Sequence, residues 1–327
     1  MRLGILGTGM IVKDFMTMVH ELNIDYISIL GTKEREEETK ELVQKYHLNQ
    51  YFYDYDELLN DDIDTVYVAL PNHLHFQFAK KALESGKNVI IEKPITSNAK
   101  ELSELITIAN QRHLMIFEAM NIHYLPAFKA LKKDISKVGN IKIVYFNYSQ
   151  YSSRYNAFKE GNILPAFDYK KSGGALMDIN VYNIHAIMGL FKEPKESYYF
   201  ANIENNIDTS GMMVLNYENY KAVCIGAKDC QAPIISTIQG DEGVIVIEKP
   251  VNQIVGYKFI DNHGDETEYC FDEGKHRLFY EFKEFIRMIE EKDYQTQQDM
   301  LQLSLEIAEV MEKGRKQEGV IFGNERS

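Results

Sequence analysis

Glu92-Lys93-Pro94 closes the apolar run Val89-Ile90-Ile91, which sets one lysine at the end of a predicted strand, the edge where open α/β sheets keep their ligands. An ammonium there can stand against a bound cofactor and a reacting oxygen, so Lys93 is the first candidate catalytic residue. A second constellation lies in Ser172-Gly173-Gly174-Ala175-Leu176-Met177-Asp178-Ile179-Asn180-Val181-Tyr182-Asn183-Ile184-His185. If a helix starts after the glycines, Asp178, Tyr182 and His185 fall at i, i+4 and i+7 on one face of an otherwise apolar helix. Three hydrogen-bonding groups on one face, preceded by small residues, predict a wall of a substrate pocket; the alternative is a set of buried polar groups satisfied by backbone. Arg154, in Tyr151-Ser152-Ser153-Arg154-Tyr155, is a further candidate for a polar substrate or for a structural salt bridge.

The cofactor these residues would serve is written nearer the start. Gly7-Thr8-Gly9-Met10-Ile11-Val12 follows an apolar run and opens a helix, the context in which backbone N–H groups approach a pyrophosphate. Val12 stands where a dinucleotide fingerprint has its third glycine, so the motif draws its force from its place in a βαβ unit. The second strand ends Leu30-Gly31-Thr32-Lys33 with no carboxylate for ribose hydroxyls. Thr32 and Lys33 are suited to a 2′-phosphate, and the expected cofactor is NADP in preference to NAD. At the next strand end, Ala69-Leu70-Pro71-Asn72-His73-Leu74-His75 offers the Asn72 amide to the cofactor as donor and acceptor, with Leu70, Pro71, His75 and Glu92 placed around it. His73 and His75 without a carboxylate cluster do not make a metal site, and none is expected.

Composition narrows the partners. At 327 residues and a formal charge of -13, the chain has room for two domains and lacks the basic surface that nucleic acid or an anionic membrane requires. A small molecule is the expected partner. Cys224, Cys230 and Cys270 are too few and too irregularly spaced for a disulfide framework or zinc, and read as reduced core residues. Met1-Arg2 runs straight into Leu3-Gly4-Ile5-Leu6 without a signal peptide, and no apolar run approaches the roughly 18 residues of a membrane span. A cytoplasmic location is expected.

The elements that must position these groups alternate in the first third of the chain. Leu3 to Leu6, Tyr26 to Leu30, Thr65 to Leu70 and Asn88 to Ile91 read as buried strands; segments from Met10, over Glu34 to Tyr46, Phe76 to Ser85 and after Asn98 read as helices. The Glu34 to Glu38 charge cluster reads as a solvated helix face. Buried runs separated by helices predict a doubly wound parallel sheet. After Leu114 to Phe117, strands follow one another without helices between them: Ile141 to Gln150, Ser197 to Asn202, Gly211 to Tyr217, Lys221 to Ala227, Ser236 to Gln239, Val244 to Ile247 and Ile254 to Ile260. That texture predicts an α+β domain on a mostly antiparallel sheet, with helices near Leu176 to Leu190, Leu278 to Glu290 and Leu301 to Lys313. The division is expected near residue 120, giving domains 1–120 and 121–327.

Taken together and in order, Gly7-Thr8-Gly9, Ala69-Leu70-Pro71-Asn72-His73-Leu74-His75, Glu92-Lys93-Pro94 and Gly173-Gly174 with Asp178 resemble the glucose-fructose oxidoreductase/inositol dehydrogenase (Gfo/Idh/MocA) family of NAD(P)-dependent oxidoreductases. The resemblance spans nearly the whole chain. It implies a Rossmann domain followed by a domain with a large open sheet used for homodimer or homotetramer assembly, and hydride transfer on a sugar, polyol or cyclic diol. Many members carry Asp-x-Gly-x-His; here Asn180 replaces the glycine and Tyr182 the histidine. That departure resembles the glucose-fructose oxidoreductase, xylose dehydrogenase and dihydrodiol dehydrogenase branch, which implies Lys93 and Tyr182 as acid–base pair; Asp178 is expected to orient substrate hydroxyls or Lys93, and His185, one turn on, is the substitute for the missing histidine. The rival class is a non-catalytic NAD(P)-binding sensor, which has no use for an acid–base set.

Overall fold

The computed structural model describes residues 1–325, and the chain divides into two compact units. The first comprises Met1–Ala119 together with Leu278–Leu305; the second comprises Met120–Arg277 and the chain from Glu306.

Six parallel strands make the sheet of the first unit: β1 (Arg2–Leu6), β2 (Tyr26–Leu30), β3 (Gln50–Phe52), β4 (Thr65–Val68), β5 (Asn88–Glu92) and β6 (Ile116–Ala119), in the order β3-β2-β1-β4-β5-β6. This is the doubly wound arrangement, with the reversal of strand order between β1 and β4. Val66, Tyr67 and Val68 of β4 and Val89, Ile90 and Ile91 of β5 have 0 % exposure, as required of strands covered on both faces. Helix Ala99–Arg112 opens on a reciprocal cap: Asn98 Oδ1 accepts from the Glu101 N–H at 2.9 Å, and Glu101 Oε2 accepts from the Ser97 N–H at 3.1 Å.

Residues 278–305, assigned by the sequence to the second domain, belong instead to the first. Aromatic packing explains the return. Phe282, on helix Phe279–Glu291, lies 4.4 Å from the ring of Phe15 and 5.1 Å from that of Tyr67, and Phe285 lies 4.8 Å from Phe117. Both phenylalanines are fully buried, so the apolar face of this helix completes the core under the parallel sheet. Gln297 Nε2 adds a bond to the Ile116 carbonyl at 2.7 Å.

Eight strands make the second sheet: β7 (Ile141–Ser149), β8 (Glu196–Glu204), β9 (Ile207–Asn216), β10 (Lys221–Ala227), β11 (Ser236–Gly240), β12 (Gly243–Ile247), β13 (Gly256–Asp261) and β14 (Glu266–Cys270). Their order is β14-β13-β12-β11-β7-β10-β9-β8, antiparallel except for the parallel pair β7 and β10. One face is core: Phe146, Cys224 and Met213 stand opposite one another in register with no exposure, and helix Val181–Phe191 packs on β7 and β10. The other face is apolar as well. Phe200 pairs with Met212 and Met212 with Ile225; Tyr198 pairs with Val214, Val214 with Val223 and Val223 with Tyr145. Residues directly opposite share a face, and here Phe200 is 55 % exposed and Met212 45 %.

Only Cys224 of the three cysteines is buried; Cys230 and Cys270 are exposed, which corrects their reading as core residues. Among the described residues no helix is long and apolar enough to cross a membrane.

Candidate active site

The turn after β1 lies at the reversal of strand order, and its first glycine is dictated by backbone conformation and space. Gly7 has φ +105°, and a Cβ there would stand 2.9 Å from the Ala69 carbonyl oxygen at the tip of β4. Gly9 opens helix Met10–Met16 with no side chain capping it, and a Cβ built on it meets nothing within 4 Å. Met10 is exposed and Ile11 partly so. Thr8 is buried, and its hydroxyl donates to Glu38 Oε2 at 3.4 Å. Lys13 Nζ donates to Glu38 Oε1 at 2.5 Å, and Arg35 Nη1 lies 3.5 Å from Oε2. The Lys13 bond is the main reason the Glu38 carboxyl is held below its ordinary range. Glu38, read from the sequence as part of a solvated face, is therefore tied to the glycine turn. At the tip of β2, Thr32, Lys33, Glu34 and Arg35 are all exposed; no carboxylate stands at Gly31 or Thr32, but that of Glu34 accepts a hydrogen bond from the Thr32 side chain.

The loop after β4 and the segment after β5 are stitched together. His75 has 0 % exposure, and its Nδ1 and Nε2 lie 2.9 Å and 2.8 Å from the carbonyl oxygens of Pro94 and Leu70. Burial lowers the basicity of the ring. His75 thus braces the loop from inside, while Leu70, Asn72 and Pro71 are its partly or fully exposed residues. Glu92 is buried; its Oε1 accepts from the Tyr67 hydroxyl at 2.5 Å and its Oε2 from the Lys93 N–H at 3.3 Å. Two residues on, the Ile95 N–H donates to Glu118 Oε1 at 3.1 Å. The half-buried Lys93 therefore stands at the end of β5 on a backbone fixed from both sides.

In the second unit the segment after Gly173-Gly174 begins as a π-turn, Leu176–Asn180, and continues as helix Val181–Phe191. Both glycines are forced. A Cβ at Gly173 would lie 2.6 Å from the Pro165 carbonyl oxygen; Gly174 has φ +103°, and its Cβ would lie 2.1 Å from Asp208 Oδ1. Asp208, on β9, accepts from the Leu176 N–H at 2.6 Å and from the Tyr199 hydroxyl at 2.8 Å, and burial drives its carboxyl up to about 6. Asn180 is structural: its Nδ2 donates to the Cys224 carbonyl at 3.1 Å, and its Oδ1 accepts from Asn183 Nδ2 at 2.9 Å. π-turns recur at functional sites, where they shift the phase of a helix. Of the expected three-residue face, two residues reach the surface. Asp178 and Tyr182 are partly exposed, whereas His185 is 1 % exposed, with its Nδ1 3.1 Å from His123 Nε2.

Asp178 has a partner that the sequence reading missed. Lys228 Nζ donates to Asp178 Oδ2 at 2.6 Å and to the Ala166 carbonyl at 2.8 Å. The signal was present, since Lys228 closes the apolar run of β10 much as Lys93 closes that of β5. Arg154 is half-buried just before helix Tyr155–Lys159, its N–H on Ser152 Oγ at 3.2 Å. Among the described residues no group of three or more His, Cys, Asp or Glu is arranged to hold a metal.

The first unit presents a cation and donor in Lys93; the second presents an acceptor in Asp178 and a phenol able to give or take a proton in Tyr182. Residues 1–120 match the model of an oxidoreductase family with an NAD-binding Rossmann fold. Over 328 residues, 98 % of each chain, the protein is 33 % identical to the scyllo-inositol 2-dehydrogenase (NADP(+)) IolU of Bacillus subtilis (strain 168). It is 25 % identical over 345 residues, 99 % of each chain, to the trans-1,2-dihydrobenzene-1,2-diol dehydrogenase of Danio rerio. A solved structure of the 3-ketoreductase KijD10 from Actinomadura kijaniata, in complex with NADP and TDP-benzene, shares the fold with a TM-score of 0.84 over 97 % of each chain at 19 % identity. With a relative this similar along its full length and a matching Rossmann domain, the chain belongs to the Gfo/Idh/MocA family of oxidoreductases.

Proposed function

We propose that the protein is an NADP-dependent dehydrogenase that interconverts a carbinol and a carbonyl on a polyol, sugar or cyclic diol, with Lys93 and Tyr182 as its acid–base pair. The observation that carries this reading is the pairing of Asp178 and Tyr182 as the partly exposed polar groups on a helix start that is otherwise buried. Full-length similarity to a polyol dehydrogenase named for NADP(+) supports the substrate class and the cofactor.

The residues present fit a dinucleotide: the space beside Gly9 is open, and Lys33 and Arg35 put exposed cationic groups beside Thr32 at the β2 tip. Gly7, Thr8, Gly9, Met10 and Ile11, Thr32 and Lys33, and Leu70, Pro71 and Asn72 would hold NADP, which would supply or accept the hydride when bound. His75 and Glu92 shape that site from beneath. Oxidation also requires the substrate hydroxyl to lose its proton, and a phenol of ordinary pKa, about 10, is a poor base at neutrality. Lowering it by about 3 units takes roughly 4 kcal/mol. An ammonium at about 4 Å and an effective dielectric near 20 provides that much, which is the role given to Lys93. Asp178 accepts from a neighbouring substrate hydroxyl and orients the ring, and Arg154 contacts a polar group of the substrate.

A panel of scyllo-inositol, other polyols, sugars and cyclic diols, assayed with NADP and with NAD, tests the reading. Turnover with NADP is expected; tight cofactor binding without turnover of any substrate would favour a sensor. Lys33→Glu is expected to raise the KM for NADP about 10- to 100-fold, the loss of one charge-assisted contact, and to leave the KM for NAD within about threefold. An unchanged preference would move the 2′-phosphate elsewhere.

A second copy of this chain covers the outer face of the eight-stranded sheet, where Tyr198, Phe200, Ile143 and Met212 are 43–55 % exposed. Phe200→Asp combined with Met212→Asp is expected to convert a dimer or tetramer to monomer in light scattering. An assembly unaltered by both charges would rule this face out.

A further inference from the structure

We propose that Lys228 is a positioning residue for the reaction, acting through Asp178. The inference rests on the dehydrogenase reading above and adds to it the group that aims the substrate-orienting carboxylate. The ion pair is lopsided: the Lys228 side chain is 4 % exposed and that of Asp178 39 %. A buried ammonium is costly unless paired and hydrogen-bonded, and Lys228 is held on several sides. Its Nζ donates to Asp178 Oδ2 at 2.6 Å and to the Ala166 carbonyl at 2.8 Å, and it lies 4.4 Å from the centre of the Phe167 ring. Its backbone N–H is anchored on the Thr209 carbonyl at 2.9 Å. The Ala166 carbonyl also accepts the Gly174 N–H at 3.1 Å, so the loop that fixes the ammonium also fixes the start of the π-turn carrying Asp178.

The chemical consequence follows from donor capacity. An ammonium can only donate, so Asp178 Oδ2 is committed as an acceptor and the carboxylate loses its freedom to rotate. The clamp fixes the direction in which this half-exposed carboxylate faces. Lys228 thus sets substrate orientation without touching substrate, and its removal is expected to act on substrate use and to spare the cofactor.

The test combines Lys228→Met, Asp178→Asn and the double variant, with two readouts. Urea unfolding of the ligand-free proteins reads the clamp alone. A double variant whose unfolding equilibrium constant changes at least about tenfold less than the product of the single changes is expected; independent multiplication would overturn the proposal whatever the substrate is. Steady-state assays with scyllo-inositol and saturating NADP read its role in the reaction. Lys228→Met is expected to lower kcat/KM for scyllo-inositol about 10- to 100-fold with the dissociation constant of NADPH within twofold of wild type, and the double variant is expected to fall within about threefold of Asp178→Asn. Wild-type kcat/KM in Lys228→Met, or losses that multiply, would overturn it. If Lys228→Met does not fold, Lys228→Gln, which keeps a donor and removes the charge, takes its place under the same criteria. If wild-type protein turns over no member of the panel, the functional reading fails, while the unfolding cycle still decides the clamp.

Discussion

Lys93→Met is expected to lower kcat about 10³-fold or more while the protein folds and retains NADPH. The size follows from the two tasks given to one ammonium, polarising the reacting oxygen and depressing the basicity of Tyr182; general acid–base groups contribute about 10²- to 10⁴-fold. Retention of the fold follows from how the segment is held. Its bonds run through backbone and neighbours: the Lys93 N–H to Glu92, Glu92 to the Tyr67 hydroxyl, the Pro94 carbonyl to His75, and the Ile95 N–H to Glu118. Methionine keeps the length of the side chain and discards the charge. Thermal unfolding, NADPH fluorescence titration and single-turnover assays check the three parts, and near-normal turnover would remove Lys93 from the chemistry.

Tyr182→Phe is expected to cost about 10²- to 10³-fold in kcat with KM for substrate within a few fold, because the change deletes a proton carrier and keeps a ring that packs with Tyr148, Ala175 and Ile179. The pH dependence carries the sign. In the oxidation direction the deprotonated phenol is the active form, so the rate rises with pH through its pKa. Loss of the Lys93 charge in Lys93→Met is therefore expected to move that limb to higher pH. A preserved rate in Tyr182→Phe would transfer the proton to another group. His185 is the less accessible one, buried against His123, whose own basicity is held well below the ordinary value by burial and by His185.

Much of this was legible in the sequence where a local cause sufficed. The parallel sheet was announced by runs such as Val66-Tyr67-Val68 and Val89-Ile90-Ile91, which have no polar face to offer water. Asn98 with Glu101 marked a helix start because capping is a local bond. Gly173-Gly174 marked the start of a helical segment, although what demands glycine at 174, the Asp208 carboxylate of β9, lies more than thirty residues away in sequence. Long-range choices were hidden. Nothing in the pattern of Phe282 and Phe285 says which core they complete, and the sequence assigned them to the wrong unit. Strands β3 and β14 are edges with little apolar surface, so they carry weak periodicity. His185 was expected beside Asp178 and Tyr182 because helical counting gives a face but not its depth, and the long-range contact with His123 that buries the ring leaves no local trace. Glu38 and Lys228 were passed over because a charged residue reads as solvated until its partner, Thr8 or Asp178, is known.

The central claim is that Lys93 and Tyr182 work as one proton-transfer unit, and groups that act as a unit lose activity together. The direct measurement is kcat for Lys93→Met, Tyr182→Phe and the double variant, at saturating NADP and substrate and one pH. The prediction is a double variant within about threefold of the slower single variant. A double variant slower than either by the full product of the two losses would show two groups acting independently and contradict the pair.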